Sequence, residues 1–430
     1  MLRQGVTSGY RRISSSAVLT AASKNKSKSN KILSSSSQSI RCFSSAEDIH
    51  VKSSPPLALY TWGTNTKGSL LQEKTATISW DPQLVESLPG RIHKIVCGPT
   101  DTAVILENGD VYVAGPNKQG QLGLGHTNPV ETLTQIPNLP PIATMALGPS
   151  NACAITKEGD LYTFGFGGSL VSGMGCLGHG DGESQLTPKL VDSIVQDGVY
   201  VEDAVLGESH MTVLTTEGEV LTTGASSYGR LGNGETSVDS LYLEPVEILQ
   251  QAQQIAGGKS FSLALQDGVI YGWGRSDKGQ LGTGFGMAVD MYAMEQVPMP
   301  IDGDELINRT VTKIAAGHSH AACITEGGEL FLWGMALHLE PVRVAEVLHT
   351  KIIDVVCGQD YTMALSEDNH LYLLGKGKTG VLGMGSSVKK LNQAQLLKSL
   401  ADEKVINMTA GWTHAACLVE PTTKDKETKI

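Results

Sequence analysis

The strongest constraint on the fold is a repeat with a period close to fifty residues. Seven glycines mark similar stretches of chain, each preceded by an apolar run and followed by a run of small residues. These anchor glycines are Gly98, Gly148, Gly207, Gly258, Gly317, Gly358 and Gly411. A period of this length is typical of proteins that stack one supersecondary unit many times. We therefore expect most of the 430 residues to form one large repeat architecture.

Each unit is predicted to be a small antiparallel sheet. Apolar and polar residues alternate around TAVIL (102–106) and VYVAG (111–115), as in half-buried strands. The pair Asn108-Gly109 between these runs is typical of a hairpin turn. The anchor glycines are expected where the chain needs a positive φ or a close backbone approach. Because one such sheet cannot bury both faces alone, neighbouring units must stack, as the blades of a propeller do.

A glycine-rich stretch, LLGKGKTGVLGMG (373–385), is similar to a phosphate-binding loop. A P-loop requires Gly-x-x-x-x-Gly-Lys-Ser/Thr, but Tyr372 stands five residues before Gly377. A Gly-x-Leu-Gly-x-Gly turn, or a close relative, follows the second glycine of four units at the same distance. Lys378 and Thr379 are therefore assigned to a structural turn. No cofactor and no metal ion is expected.

The two ends of the chain are predicted to close a ring. The copy at Gly411 runs out after half a unit, and propellers avoid an unpaired sheet edge. Residues 58–71 supply the missing half, because Trp62 aligns with Trp273 and Trp333, each directly before a second glycine. These tryptophans are expected to fill gaps between blades.

The fold class follows from this closure. We expect an all-β, seven-bladed β-propeller over residues 58–420. Its last blade would combine strands from 405–420 with strands from 58–71.

The N-terminal segment differs from the rest of the chain in charge. Residues 1–46 hold no Asp or Glu and eight basic residues, and they are rich in serine. This composition is typical of an organelle transit peptide, and RCFSS (41–45) resembles a mitochondrial processing site. We predict a mitochondrial transit peptide over 1–43, a linker over 44–57 and a disordered tail over 421–430, with the mature protein in the matrix. A chloroplast address, or a cytosolic protein with a disordered tail, is the alternative.

The charge of the mature chain favours a protein partner over nucleic acid. Without those eight, 25 of the 33 basic residues remain against 44 acidic ones, a formal charge of −19. Such a surface repels phosphate backbones. No apolar run reaches the roughly 18 residues of a membrane helix, so no transmembrane segment is predicted. We expect a monomer.

These features together resemble the regulator of chromosome condensation repeat family. The match covers about residues 58–420 and rests on the anchor glycine, the small-residue strand, the second glycine and the Leu-Gly turn. The resemblance implies a seven-bladed propeller closed by mixed N- and C-terminal strands. Two copies depart from the pattern. The Gly317 copy lacks the Leu-Gly turn, and the Gly148 copy has five extra residues between Gly165 and Gly178.

Histidines and cysteines fit structural roles. His210, His320 and His414 each follow an anchor glycine by three residues, and a repeated register predicts hydrogen bonding within each blade. The cysteines lack the Cys-x-x-Cys spacing of a zinc site and are interpreted as small buried apolar residues, and Cys176, in the insertion, is the one to test for reactivity. The recurring Gly-Trp-Arg-His-Thr of plant ultraviolet-B receptors has one approximate match, at Gly411, which disfavours a photoreceptor.

Two irregular loops are candidate partner-binding surfaces. Residues 285–310 place methionines beside acids on a predicted long loop, and residues 166–184 form the second candidate. The candidate residues are Asp181, Glu183, Met287, Asp290, Met291, Met294, Asp302, Asp304 and Glu305. The alternative is a solvated surface loop without a partner.

The sequence shows no constellation of nucleophile, base and orienting acid. We therefore predict a non-catalytic mitochondrial interaction protein that binds a protein partner through its loops. The resemblance implies an alternative, a guanine-nucleotide exchange factor for a small or dynamin-like GTPase, whose family exchange residues do not align here. It also implies a GTPase or a mitochondrial ribosome-assembly factor as the partner. A ubiquitin-ligase accessory role is a third possibility, although no ligase domain is visible.

Overall fold

The computed structural model describes residues 57–72, 77–284 and 292–420. The predicted transit peptide (1–43), all but the last residue of the linker (44–57) and the tail (421–430) lie outside the described residues, as do Met287, Asp290 and Met291. Almost all described elements are β-strands. No described helix is long and apolar enough to cross a membrane.

Six consecutive stretches of chain each form a four-stranded antiparallel sheet, and we call these sheets blades 1 to 6. Blade 1 holds β3 (Ile92–Cys97), β4 (Thr102–Leu106), β5 (Val111–Gly115) and β6 (Val130–Gln135). Blade 2 holds β7 (Ile142–Leu147), β8 (Asn151–Thr156), β9 (Leu161–Gly165) and β12 (Gln185–Leu190), with a short hairpin of β10 (Gly168–Ser169) and β11 (Gly173–Met174). Blade 3 holds β13 (Val201–Leu206), β14 (His210–Thr215), β15 (Val220–Gly224) and β16 (Ser240–Pro245). Blade 4 holds β17 (Ala252–Gly257), β18 (Phe261–Gln266), β19 (Val269–Arg275) and β20 (Met294–Ile301). Blade 5 holds β21 (Val311–Ala316), β22 (His320–Thr325), β23 (Leu330–Gly334) and β24 (His338–Arg343). Blade 6 holds β25 (Ile352–Cys357), β26 (Tyr361–Ser366), β27 (Leu371–Lys376) and β28 (Lys390–Leu396).

Short helical turns connect some of these strands. They are α1 (Asp192–Gln196) and three 3₁₀ turns at Ser227–Gly229, Ala345–Val347 and Lys398–Leu400.

Blade 7 joins the two ends of the chain and confirms the predicted closure. Its sheet order is β2 (Ile78–Leu84), β1 (Ala58–Thr64), β30 (His414–Glu420) and β29 (Lys404–Ala410). In the central pair, Leu59 lies opposite Leu418 and Trp62 opposite Ala415. The N-terminal segment thus supplies two strands, the second of which lies beyond the predicted 58–71. The protein is a seven-bladed β-propeller.

The anchor glycines lie at close contacts rather than at special backbone angles. None of the seven, all within the described residues, has a positive φ. A Cβ at Gly258 would overlap the ring of Phe261, and one at Gly358 would overlap the ring of Tyr361, three residues later in each case. Positive φ belongs instead to the second glycines, for example Gly274 at +100°.

The strand directions give the ring two distinct ends. The first and third strands of each blade run towards the anchor glycine, so the turns after the first strands and the loops after the third strands share one end. We call this the anchor end. The tight hairpins between second and third strands, such as the one at Asn108, lie at the opposite end, which we call the hairpin end.

Candidate partner-binding face

The anchor end surrounds a central cavity to which every blade contributes. The cavity has a volume of about 120 Å³ and is lined by residues beside the anchor glycines, including Pro99 and Trp412. Backbone hydrogen bonds link neighbouring turns around its mouth. Glu208 N donates to Lys259 O at 2.8 Å, and Lys259 N donates to His318 O at 3.2 Å. The mouth of the cavity is therefore a linked rim that holds the side chains after the anchor glycines in place.

A basic and aromatic cluster lies on this rim at blades 3 to 5. Lys259, Arg275, Lys278 and His318 line one shallow depression together with Asp277. Arg275 pairs with Asp277 at 2.8 Å, and its guanidinium lies 4.7 Å from the centre of the Tyr228 ring.

The neighbours of this cluster extend it across the cavity. Lys259 pairs with Glu208 at 3.2 Å, and the Trp412 ring meets His318 edge-on at 5.1 Å. Burial, with Lys259 and Lys278 adding to it, lowers the pKa of His318. We call Tyr228, Lys259, Arg275, Lys278, His318 and Trp412 the rim cluster.

The insertion in blade 2 projects from the same end. Its short hairpin turns at Leu170 and Val171, whose exposed fractions are 94% and 99%. Asp181 Oδ1 accepts a hydrogen bond from Glu183 N at 3.0 Å, and the Glu183 side chain is exposed. The predicted acids therefore lie in the same insertion as a fully exposed apolar pair.

The second predicted surface is not one loop. Residues Met294–Ile301 form the outer strand of blade 4 and pair with β19. Met294 begins this strand at the anchor end, whereas Asp302, Asp304 and Glu305 follow it at the hairpin end, roughly 26 Å away for eight residues. Glu305 is moreover engaged within the fold, since its Oε2 accepts from Arg343 N at 3.1 Å. The prediction of a single loop over 285–310 is wrong.

The repeated histidines bond between blades, so the prediction of bonding within each blade is also wrong. His210 Nε2 lies 3.1 Å from Ser262 Oγ on blade 4, and His414 Nε2 lies 2.8 Å from Thr102 Oγ1 on blade 1. His320 makes the same contact with Thr362 of blade 6. Burial lowers the pKa of His210 to about 3 and that of His320 and His414 to about 4.

The geometry also bears on the cysteine in the insertion and on metal binding. Cys176 is buried, and burial raises the pKa of its thiol to about 11, which disfavours the reactive thiolate. In the described part of the chain, no group of three or more His, Cys, Asp or Glu is placed to hold a metal ion.

The rim cluster was missed because its members come from different repeats. Lys259, His318 and Trp412 each directly follow an anchor glycine, where other copies carry Pro99 or Glu208. A comparison of that one register across the repeats could have shown that it varies in charge and size. The cavity that brings these side chains together is visible only in the ring.

One family model, described as "Regulator of chromosome condensation (RCC1) repeat", matches residues 108–155, 217–265 and 267–324. The chain is 27% identical over 350 residues to the "Ultraviolet-B receptor UVR8" of Arabidopsis thaliana, covering 77% of this chain and 76% of that protein. It is 26% identical over 418 residues to the "RCC1 domain-containing protein RUG3, mitochondrial" of the same plant, covering 84% and 88%.

Some relatives are much longer than their match. The chain spans 7% of the E3 ubiquitin-protein ligase HERC2 of Mus musculus and 26% of the X-linked retinitis pigmentosa GTPase regulator homolog of Caenorhabditis elegans. Among solved structures, the fold matches Prp20p of Saccharomyces cerevisiae with a TM-score of 0.76 at 21% identity, over 88% of this chain and 94% of that one. That structure was described with the binding of Prp20p to Gsp1p and histones. The chain thus contains RCC1 repeats in the three matched stretches, within a fold similar to that of Prp20p.

Proposed function

We propose that this protein is a non-catalytic propeller of mitochondria that binds a protein partner through the anchor end of its ring. The observation that carries the proposal is the coincidence of irregular features at that end. The rim cluster, the exposed pair Leu170 and Val171, and the acids Asp181 and Glu183 all lie there. Tryptophan, tyrosine and arginine, all present in the rim cluster, are the residue types enriched among those that dominate the binding energy of interfaces.

The mitochondrial address rests on two independent supports. The N-terminal 46 residues are basic, rich in serine and free of acids. The relative RUG3 is named as mitochondrial. We propose the matrix as the compartment, a monomer as the working form, and a mitochondrial ribosome-assembly factor or a GTPase as the class of partner.

Capture of partners from isolated mitochondria tests the proposal. We expect Lys278→Glu and Leu170→Asp to remove captured proteins that the unmodified chain retains, because both changes alter the anchor end. The matched control is Lys351→Glu at the hairpin end, which should leave capture unchanged. The proposal would be contradicted if only the control lost captured partners, or if all three variants retained them.

The second candidate function is guanine-nucleotide exchange on a small or dynamin-like GTPase. It is favoured by the name of the C. elegans relative, a GTPase regulator homolog. Exchange needs no bond to be made by the protein, since stabilising the nucleotide-free GTPase is enough. Nucleotide-release assays with mitochondrial GTPases distinguish the two functions. Acceleration that Lys278→Glu abolishes would favour exchange, and binding without acceleration would favour a scaffold.

A further inference from the structure

Neighbouring blades are sealed by one leucine at six of the seven junctions. The loop after the third strand of one blade inserts a leucine beside the next blade, and each of these side chains is at most 2% exposed. The six leucines are Leu70, Leu122, Leu177, Leu231, Leu281 and Leu382, from blades 7, 1, 2, 3, 4 and 6.

At three of these junctions, a tryptophan of the next blade contacts the leucine loop. Trp273 of blade 4 donates its indole N–H to Arg230 O, directly before Leu231, at 2.9 Å. Trp333 of blade 5 donates to Gln280 O, directly before Leu281, at 2.9 Å. Trp62 makes the equivalent contact with the loop of blade 6 at 2.8 Å. Three of the six sealed junctions thus combine a buried leucine with a carbonyl that accepts a hydrogen bond from an indole.

The junction between blades 5 and 6 lacks this seal. Blade 5 has only Met335–Leu337 between its third and fourth strands, and Leu337 is 66% exposed. The indole position of blade 6 holds Leu374, which pairs with Thr362 and is only half-buried. What remains is a groove of about 340 Å³ lined by apolar residues such as Leu332, Leu374 and Leu391.

The charged groups of this groove are mainly basic at its anchor end. His338, Lys376 and Lys390 lie there with Asp360 as the acid. Among the described residues neither lysine forms an ion pair. Towards the hairpin end the groove holds Arg343 and Glu346, and Arg343 is paired with Glu329 at 2.7 Å. The two unpaired lysines give the groove a charge opposite to that of the chain as a whole.

We propose that this groove binds an acidic segment of a partner protein and that the segment inserts the leucine of a glycine-containing turn. The segment takes the place of the loop that blade 5 lacks. The sealed junctions define the shape of the occupant, because a glycine stands two residues before the leucine in all six and directly after it in five. Lys376 and Lys390 define its charge. This second surface uses none of the rim cluster, so it can fail or succeed independently of the function proposed above.

The test uses the full chain and a labelled peptide, DEGQLGTGDE, that copies the leucine turn of blade 4 between acidic ends. Fluorescence anisotropy should show saturable binding that weakens with added salt. A peptide with alanine for leucine, and one with lysine for every acid, should each bind at least tenfold more weakly. Equal binding of all three peptides, or of none, would overturn the proposal.

Protein variants locate the binding. Lys390→Glu and Leu337→Glu should each weaken the peptide at least fivefold, while the matched controls Lys398→Glu and Leu170→Glu should not. Replacing residues 335–337 by the blade 4 loop SDKGQLGTG should abolish binding without lowering the melting temperature, because the graft fills the groove. Retained binding by the grafted protein would overturn the proposal.

The same set of proteins also tests two other possible occupants of the groove. If sedimentation shows that the unmodified chain self-associates and that the grafted protein does not, the groove binds a second copy of the chain. Cross-links from position 337 to residues 44–56 of the same chain would assign it to the chain's own linker. Either result would replace the proposed partner.

Discussion

At the scale of single residues, the position three after each anchor glycine shows how one place in the fold carries different chemistry. Asp101 occupies it in blade 1 and Asn151 in blade 2, and both side chains are buried. Burial raises the pKa of Asp101 to about 7, although backbone N–H groups of Thr100 and Asp101 partly oppose the shift. A carboxylate at this site is therefore unfavourable in the folded state at neutral pH.

We expect Asp101→Asn, which copies the residue of blade 2, to stabilise the protein at high pH. The folded pKa of about 7 lies above the ordinary 3.8, so the folded state binds more protons in that window and stability falls as pH rises through it. Denaturant unfolding should show the variant more stable by at least about 1.4 kcal/mol at pH 8, with no such gain at pH 4. The control Asn151→Asp should have the opposite sign. A less stable Asp101→Asn protein at pH 8 would refute the expectation.

The three buried histidines of the same register have the opposite pH dependence. Their pKa values of about 3 to 4 lie below the ordinary 6.5, so the unfolded chain binds more protons between these limits. Stability should therefore fall as the pH drops from 6.5 towards 4. His414→Asn should reduce the slope of unfolding free energy against pH by about 1.4 kcal/mol per pH unit near pH 5. The slope separates titration from lost packing, which shifts the curve at every pH; an unchanged slope would place the acid sensitivity elsewhere.

At the scale of elements, the leucine loop and the indole that contacts it join neighbouring blades at three junctions. Trp273→Phe keeps the ring but removes the N–H that donates to Arg230 O, so a loss of about 1–3 kcal/mol of unfolding free energy is expected. Trp273→Ala also leaves a cavity and should cost about 3–5 kcal/mol. The control Trp412→Phe, at a half-buried position on the rim, should cost less than either. Equal losses for Trp273→Phe and Trp412→Phe would show that the indole bond contributes nothing to stability.

The same scale shows what the sequence could and could not predict. The hairpins and blade closure followed from alternation and register, because both depend on neighbours along one repeat. The outer strand Met294–Ile301 was missed since Pro298 and Pro300 argue against a strand, yet an edge strand tolerates proline. The histidine contacts were assigned to the wrong partner because residues one repeat apart share a register. The missing turn of blade 5 was visible, but the groove that it opens is a property of two stacked blades.

At the scale of the whole molecule, stability depends on where the ring is closed. Blade 7 is held by β1 against β30, with Leu59 and Leu418 both fully buried in one cluster that includes Val104 of blade 1. The other side of β30 packs against blade 6, since Cys417 and Val419 share a cluster with Met363 and Leu373. One strand from the C-terminal end thus supports blades on both sides.

Deleting residues 405–430 should therefore unfold the ring as a unit rather than remove one blade. Without β30 the strand Ala58–Thr64 keeps only β2 as a partner, and blades 1 and 6 would expose apolar faces that no neighbour covers. We expect calorimetry to show no cooperative transition for this protein, and deletion of 421–430 alone to leave the transition unchanged because β30 ends at Glu420. A single sharp transition in the protein without 405–430, at nearly the original temperature, would mean that each blade is stable through its own loops. Closure would then be a consequence of the fold and not its cause.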